Sequence, residues 1–233
     1  MGIQLGERRL SLKKRLSVHV NAGVNAVVEQ VADAKKRLST RASVQSHASD
    51  VSELEETRGA ALDETNALND EGVKVVDNIA GELERRVAAE DRANAGDCFS
   101  KDGRVPPVTL FDYFARMARY VNVWRGHAGG AESAGVRSAV MALMYIEKLE
   151  RMCPGFAVNR SNVHRIAMAA FLVATKFTED APISNDFWSK VAGVQCSEVN
   201  ALEVAFCSML KFELYIDEKQ YVLKLDSFDM PEF

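Results

Sequence analysis

The chain has 233 residues, of which 47% are hydrophobic and 27% are charged, and its formal net charge is −4. The negative balance argues against a protein that coats nucleic acid or binds membranes through a polybasic segment. We expect no membrane span, because no run of about 18 apolar residues occurs, and residues 1–12 lack the apolar core of a secretory signal. The cysteines are far apart and form no CxxC spacing, which excludes the usual zinc motifs and predicts reduced thiols in an intracellular protein, in the cytoplasm, the nucleus or both.

Aromatic residues divide the chain into two parts. All 11 Phe, 5 Tyr, 2 Trp and 5 Pro lie at or after Phe99. Because aromatic side chains supply much of the buried area of a core, we predict a compact domain over residues 98–233 and an extension over residues 1–97. The net charge is +6 over residues 1–49, −9 over 50–97 and −1 over 98–233.

The extension carries two apolar stripes at helical spacing, separated by a polar break at residues 39–46. The stripes predict two amphipathic helices, one basic and one acidic, that pair with each other or with a further protein; the alternative is a marginal helical extension with disordered stretches. Basic pairs precede three serines, which makes Ser11, Ser17 and Ser39 candidate phosphorylation sites. The stripe residues are Leu12, Leu16, Val20, Val24, Val27, Val31, Ala34 and Leu38, then Ala61, Thr65, Leu68, Gly72, Val75, Ile79, Leu83 and Val87.

From residue 106 onward, the pattern predicts an all-α bundle of five helices. The first begins at Thr109, with Asp112 at capping-box spacing, and the second covers residues 132–152. The third starts near Ser161 and is almost wholly apolar, so we expect it to be the central helix. The fourth covers 185–192 and ends at Gly193, the fifth is capped by Ser197, and a last helical turn or two follows over 217–225.

One acidic side chain interrupts the apolar stripe of the second helix. Glu147 continues the spacing of that stripe, and a lone buried carboxylate costs several kcal/mol. Arg116, one residue off the stripe of the first helix, is the nearest partner. We therefore predict a structural ion pair between Arg116 and Glu147 that joins the first two helices.

Motifs of catalysis are absent from the sequence. There is no HExxH, P-loop, GxSxG or GxGxxG after a strand, and His164 is interpreted as a capping or packing residue. The acidic pair Glu179 and Asp180 lacks the further ligands that a metal would need. The residues alone therefore predict a binding module with no enzymatic activity, cofactor or metal.

Ordered motifs over residues 106–216 resemble the cyclin box of PHO-type (P/U-type) cyclins. They follow one another at fixed spacing and imply a single cyclin box, since too few residues follow Tyr215 for a second. The matching segments are Tyr145-Ile146-Glu147, Asn162-Val163-His164-Arg165, Ala174-Thr175-Lys176-Phe177, Glu179-Asp180, Asn185 with Phe187-Trp188, Lys190-Val191-Ala192-Gly193-Val194, and Glu198-Val199-Asn200 with Leu202-Glu203 and Phe206.

The resemblance implies a regulatory subunit that binds and activates a cyclin-dependent serine/threonine kinase. In cyclins a Lys and a Glu hold the kinase near its C-helix, and the matching residues are Lys176 and Glu203. The acidic pair Glu179 and Asp180 is implied to face the kinase as well, with Asp180 presented to an arginine of the activation segment. The segment after it, 181–183, departs from the tyrosines usual in the family.

Two other functions stay open. A cyclin-fold protein of transcription-factor type would bind DNA or polymerase, which the −1 charge of the domain argues against. A degenerate cyclin-fold scaffold would use its N-terminal helices as the interaction module without activating a kinase, and the retained Lys176 and Glu203 argue against it.

Overall fold

The computed structural model describes residues 68–89, 98–100, 105–125, 130–181 and 183–228. These residues form seven α-helices and no strand, which confirms the all-α prediction. The helices are α1 (Asp70–Ala89), α2 (Leu110–Arg125), α3 (Ala134–Met152), α4 (Val163–Thr178), α5 (Asn185–Ala192), α6 (Cys196–Met209) and α7 (Glu218–Asp226).

Capping residues set most of the helix ends. The Asp112 N–H donates to Thr109 Oγ1 at 3.0 Å, which is the first bond of the predicted capping box. Asp112 Oδ2 accepts from the Thr109 hydroxyl at 2.7 Å, in place of the backbone N–H of the second capping-box bond. Gly193 ends α5 in the left-handed conformation, at φ 70°. The predicted cap at Ser197 is wrong by two positions. Helix α6 begins at Cys196, so its N-cap residue is Gln195, and the Gln195 side chain makes no capping bond.

The apolar helix α4 lies at the centre of the bundle, as predicted. Every residue from Ile166 to Thr175 is buried, and α3 and α6 pack along the helix. Trp188 of the short helix α5 packs on Phe171 with ring centroids 5.8 Å apart. Burial on nearly all sides makes α4 a rigid platform for whatever its C-terminal turn carries.

Helix α1 belongs to the same core, although it lies in the segment assigned to the extension. Val76, Ile79 and Leu83 are fully buried, and α1 packs against α2 and α3. The packed unit therefore begins before Cys98, because an aliphatic stripe can complete a helical seam without any aromatic residue. The first amphipathic stripe, the polar break and Ser11, Ser17 and Ser39 lie outside the described residues.

The predicted Arg116–Glu147 ion pair is wrong. Glu147 Oε1 accepts hydrogen bonds from Arg86 Nη2 at 3.1 Å and from Lys224 Nζ at 2.6 Å, whereas Arg116 donates to the Val191 carbonyl at 3.5 Å. The Glu147 side chain is 18% exposed, so it is not the isolated buried carboxylate that the stripe suggested. Arg86 and Lys224 come from α1 and α7, and Glu147 thus links three helices.

An extended segment between α6 and α7, residues 213–216, is fastened to α3, and we call it the strap. Tyr145 donates its hydroxyl to the Leu214 carbonyl at 2.7 Å. Lys148 Nζ donates to the Glu213 carbonyl at 2.6 Å. These two bonds place the strap so that α7 reaches Glu147.

Candidate functional site

Lys176 and Glu203 meet where α4 ends beside α6. Lys176 Nζ donates to Glu203 Oε1 at 2.8 Å, although 27 residues separate the two along the chain. The side chains are 27% and 23% exposed, so the pair lies at the surface with its stems covered. The convergence expected from the packing of these helices is confirmed, while the role of the pair at a kinase stays a prediction.

Two asparagines complete a polar cluster around this pair. Lys176 Nζ also donates to Asn185 Oδ1 at 2.6 Å. Asn185 Nδ2 donates to Glu203 Oε2 and to Asn200 Oδ1, each at 2.7 Å. Three helices, α4, α5 and α6, therefore supply one connected hydrogen-bond network, which we call the Lys176 cluster: Lys176, Asn185, Asn200 and Glu203.

The local sequence explains how each side chain reaches the cluster. Lys176 is the basic residue of the last turn of α4, where a cation is favoured by the helix dipole. Asn200 and Glu203 are three residues apart on α6 and so share one face. Ser184 caps α5 by accepting from the Phe187 N–H at 3.2 Å, which leaves Asn185, the first residue of α5, free to turn its amide toward Lys176.

Sequence reasoning noticed Asn185 only as a motif residue at a helix start. An asparagine in the first turn of a helix has several local uses, so its type and position did not reveal the long-range role. The available signal was that Asn185, Asn200 and Glu203 all fall within motifs of the resemblance.

The two acidic residues beside the cluster, Glu179 and Asp180, lie in different environments. Glu179 has a side chain that is only 4% exposed and forms an ion pair with Arg125, which joins the C-terminal end of α4 to that of α2. The expectation that Glu179 faces a partner is therefore corrected, because its carboxylate is engaged inside the protein. Asp180 is exposed, and the neighbouring Phe177 is 48% exposed.

Two other titratable groups, His164 and Cys207, have surroundings that suit packing and not catalysis. His164 Nε2 donates to the Val108 carbonyl at 3.0 Å and its ring lies edge-on to Tyr113, which confirms the packing interpretation. Burial lowers the pKa of His164 although the bond to Val108 opposes this. Burial and the charge of Glu203 raise the pKa of the Cys207 thiol to about 11, against the opposing charge of Lys176, so at neutral pH this thiol is not a thiolate nucleophile.

The part of the chain that the structure describes contains neither a membrane-spanning helix nor a cluster of metal ligands. Among the helices of this part, none is long and apolar enough to cross a membrane. Within the same ranges, no three His, Cys, Asp or Glu side chains come together as metal ligands would.

Comparison with known proteins identifies the family. The cyclin family model matches residues 24–214. Cyclin-U2-2 of Arabidopsis thaliana is 29% identical over 48% of this chain and 44% of its own length. Two rice (Oryza sativa subsp. japonica) proteins are also similar. Cyclin-P2-1 is 29% identical over 61% of this chain and 64% of its own length. Cyclin-P1-1 is 36% identical over 51% of this chain and 40% of its own length.

The chain spans about half the length of the curated relatives it matches. The family model covers well over half of the chain, and the relatives are U-type and P-type cyclins, as the motif resemblance predicted. The chain therefore belongs to the cyclin family, as a cyclin of the PHO type (P/U type).

Proposed function

We propose that this chain is the regulatory subunit of a cyclin-dependent kinase, which it binds through the surface around the Lys176 cluster and holds in the active state. The observation that carries the proposal is the Lys176–Glu203 pair, ordered at 2.8 Å at the surface end of the most buried helix. Membership of the cyclin family supports a regulatory role.

The mechanism requires only a rigid surface. A protein kinase is active when a glutamate of its C-helix pairs with the lysine of its third strand. A partner that binds the inward position of that helix more tightly than the outward one shifts the population toward the active state. Moving the ratio from 1:99 to 99:1 takes about 5.5 kcal/mol of differential affinity.

Three features of the site suit such a surface. The Lys176–Glu203 pair is already ordered, so little side-chain freedom is lost on binding. Phe177, next to Lys176 and 48% exposed, offers an apolar anchor of the kind that dominates interface energies. Asp180 is exposed, so its carboxylate can accept hydrogen bonds from an arginine. We assign it the arginine of the kinase activation segment, where the charge of Asp180 would replace that of a phosphate.

The test is Lys176→Glu, measured as the dissociation constant with a recombinant phosphate-pathway cyclin-dependent kinase. The substitution replaces the cation by a second carboxylate beside that of Glu203, and the two negative charges repel each other. Affinity should fall by about 2–4 kcal/mol, or about 30-fold to 1,000-fold, as at an interface hot spot.

The matched control is Lys74→Glu, the same charge change at an exposed lysine on α1, which should bind like wild type. Retention of wild-type affinity by Lys176→Glu would mean that the docking surface is elsewhere. Failure of the wild-type chain itself to bind or stimulate the kinase would instead favour the scaffold function.

A further inference from the structure

We propose that Asn185 is a positioning residue for kinase docking: its carboxamide holds Lys176 and Glu203 in the arrangement that the kinase meets, without touching the kinase. The inference rests on the proposed function, because it concerns how the same surface is prepared.

Both N–H donors of the Asn185 amide are used inside the protein. A primary amide has two N–H donors and one carbonyl acceptor. The two donors go to Glu203 Oε2 and Asn200 Oδ1, both at 2.7 Å, and the acceptor receives Lys176 Nζ at 2.6 Å. The lysine also settles the orientation of the amide, since only the oxygen can face an ammonium group. Asn185 therefore has no N–H left to offer a partner.

The groups that Asn185 holds keep capacity to spare. Lys176 has three N–H donors, and two of them are used, by Asn185 and Glu203. Each carboxylate oxygen of Glu203 accepts one bond and has a second lone pair available. The remaining donor and acceptors form a fixed pattern, because Asn185 restrains both long side chains at once. Without it, each side chain would lose rotamer freedom when the kinase binds, and affinity would fall.

Helix α5 does not need the Asn185 side chain for its own stability. Ser184 provides the cap, and Trp188 and Val191 bury the helix in the core. An aspartate at position 185 would suit the first turn of a helix, where negative charge is favoured. Substitutions at Asn185 should therefore alter docking more than folding.

The experiment measures the kinase dissociation constant and the thermal midpoint of Asn185→Ala and Asn185→Asp, with the same recombinant kinase as probe. Asn185→Ala removes the restraint and should weaken kinase binding about fivefold to tenfold, because the net free energy of one hydrogen bond corresponds to an affinity change of about that size. Asn185→Asp should weaken it at least as much, because a carboxylate faces Glu203 Oε2 where an N–H stood. The matched control is Gln220→Glu, the same amide-to-carboxylate change at an exposed position of α7, and it should bind like wild type.

A double-mutant cycle separates positioning from a general structural role. In a Lys176→Ala background, Asn185→Ala should cost less affinity than it does in the wild-type background, because only the restraint on Glu203 remains to be lost. Wild-type affinity in both Asn185 variants would overturn the inference. So would an Asn185→Ala substitution that loses as much affinity in the Lys176→Ala background as in the wild-type background. If the Asn185 variants gave either result while Lys176→Glu still lost kinase binding, the proposed function would stand and only the role of Asn185 would be wrong. A wild-type chain that does not bind the kinase would overturn both the proposed function and the role of Asn185.

Discussion

Helices α2 and α3 approach each other closely at Gly135, and replacing this glycine by alanine should destabilise the domain. A Cβ atom at position 135 would lie 2.2 Å from the Ala118 carbonyl oxygen and 2.8 Å from Asn122 Oδ1. Asn122 is fully buried, and its Oδ1 accepts a 2.7 Å hydrogen bond from the Gly135 N–H. The backbone oxygen cannot rotate away, so α2 and α3 must move apart by about 1 Å to reach ordinary contact distances.

The magnitude follows from three contributions. Overpacking a core costs about 1–3 kcal/mol, and stretching the bond to buried Asn122 costs about 1 kcal/mol. The higher helix propensity of alanine offsets at most about 1 kcal/mol. With the full offset, the net loss in the free energy of unfolding should be about 1–3 kcal/mol, which lowers Tm by about 3–10 °C in a domain of this size.

Thermal and urea unfolding followed by circular dichroism will measure the effect, with Gly81→Ala as the matched control. Gly81 is also inside a helix, but a Cβ there would meet only the flexible end of Arg85, at 3.8 Å. Gly81→Ala should therefore raise stability by about 0.5–1 kcal/mol. A Gly135→Ala protein that unfolds at or above the wild-type temperature would refute the close packing of α2 on α3.

Two further predictions concern pH. Burial alone would raise the pKa of Glu82, but hydrogen bonds from Arg86 and Arg85 outweigh it and hold that pKa below its ordinary value of 4.5. Arg86→Met should therefore lose about 1–2 kcal/mol of stability at pH 7. Its difference in stability from wild type should shrink as the pH falls from 4.5 through the lower pKa of folded Glu82; a difference that does not change with pH would contradict this. Burial lowers the pKa of His164, and its buried Nδ1 has no hydrogen-bond partner among the described residues, so protonation opposes folding. Wild type should lose stability relative to His164→Gln as the pH falls from 7.5 to 5.5, and parallel pH profiles of the two proteins would argue against a neutral buried histidine.

Local signals in the sequence were enough to predict most helices of the domain. The capping box at Thr109 and Asp112, the apolar run from Ile166 and the stop at Gly193 each act within one or two turns. Such features depend on neighbouring residues alone, so periodicity and capping rules identify them. The facing of Lys176 and Glu203 could also be expected, because charged residues on apolar helices stand out.

Long-range partners could not be predicted in the same way. The contacts of Glu147 come from Arg86, 61 residues before it, and Lys224, 77 residues after it. Each depends on how α1 and α7 lie against α3, and no local pattern contains that arrangement. Helix α1 was assigned to the extension because it lacks aromatic residues, yet Ile79 and Leu83 are fully buried in the core. The central amide of Asn185 escaped notice for the same reason, since its partners lie on two other helices.

The strap that precedes α7 is held partly through its main chain, in addition to the packing of Leu214 and Ile216 on the core and the contact of Lys148 with the Glu213 carboxylate at 3.4 Å. Tyr145 and Lys148 both bond to main-chain carbonyls, those of Leu214 and Glu213, and every amino acid presents that group. Substitutions at the exposed positions of this segment, such as Tyr215, should therefore leave α7 where it is. The C-terminal part of the domain can thus acquire a different outer surface, and with it different neighbours, while the three-helix link at Glu147 is kept.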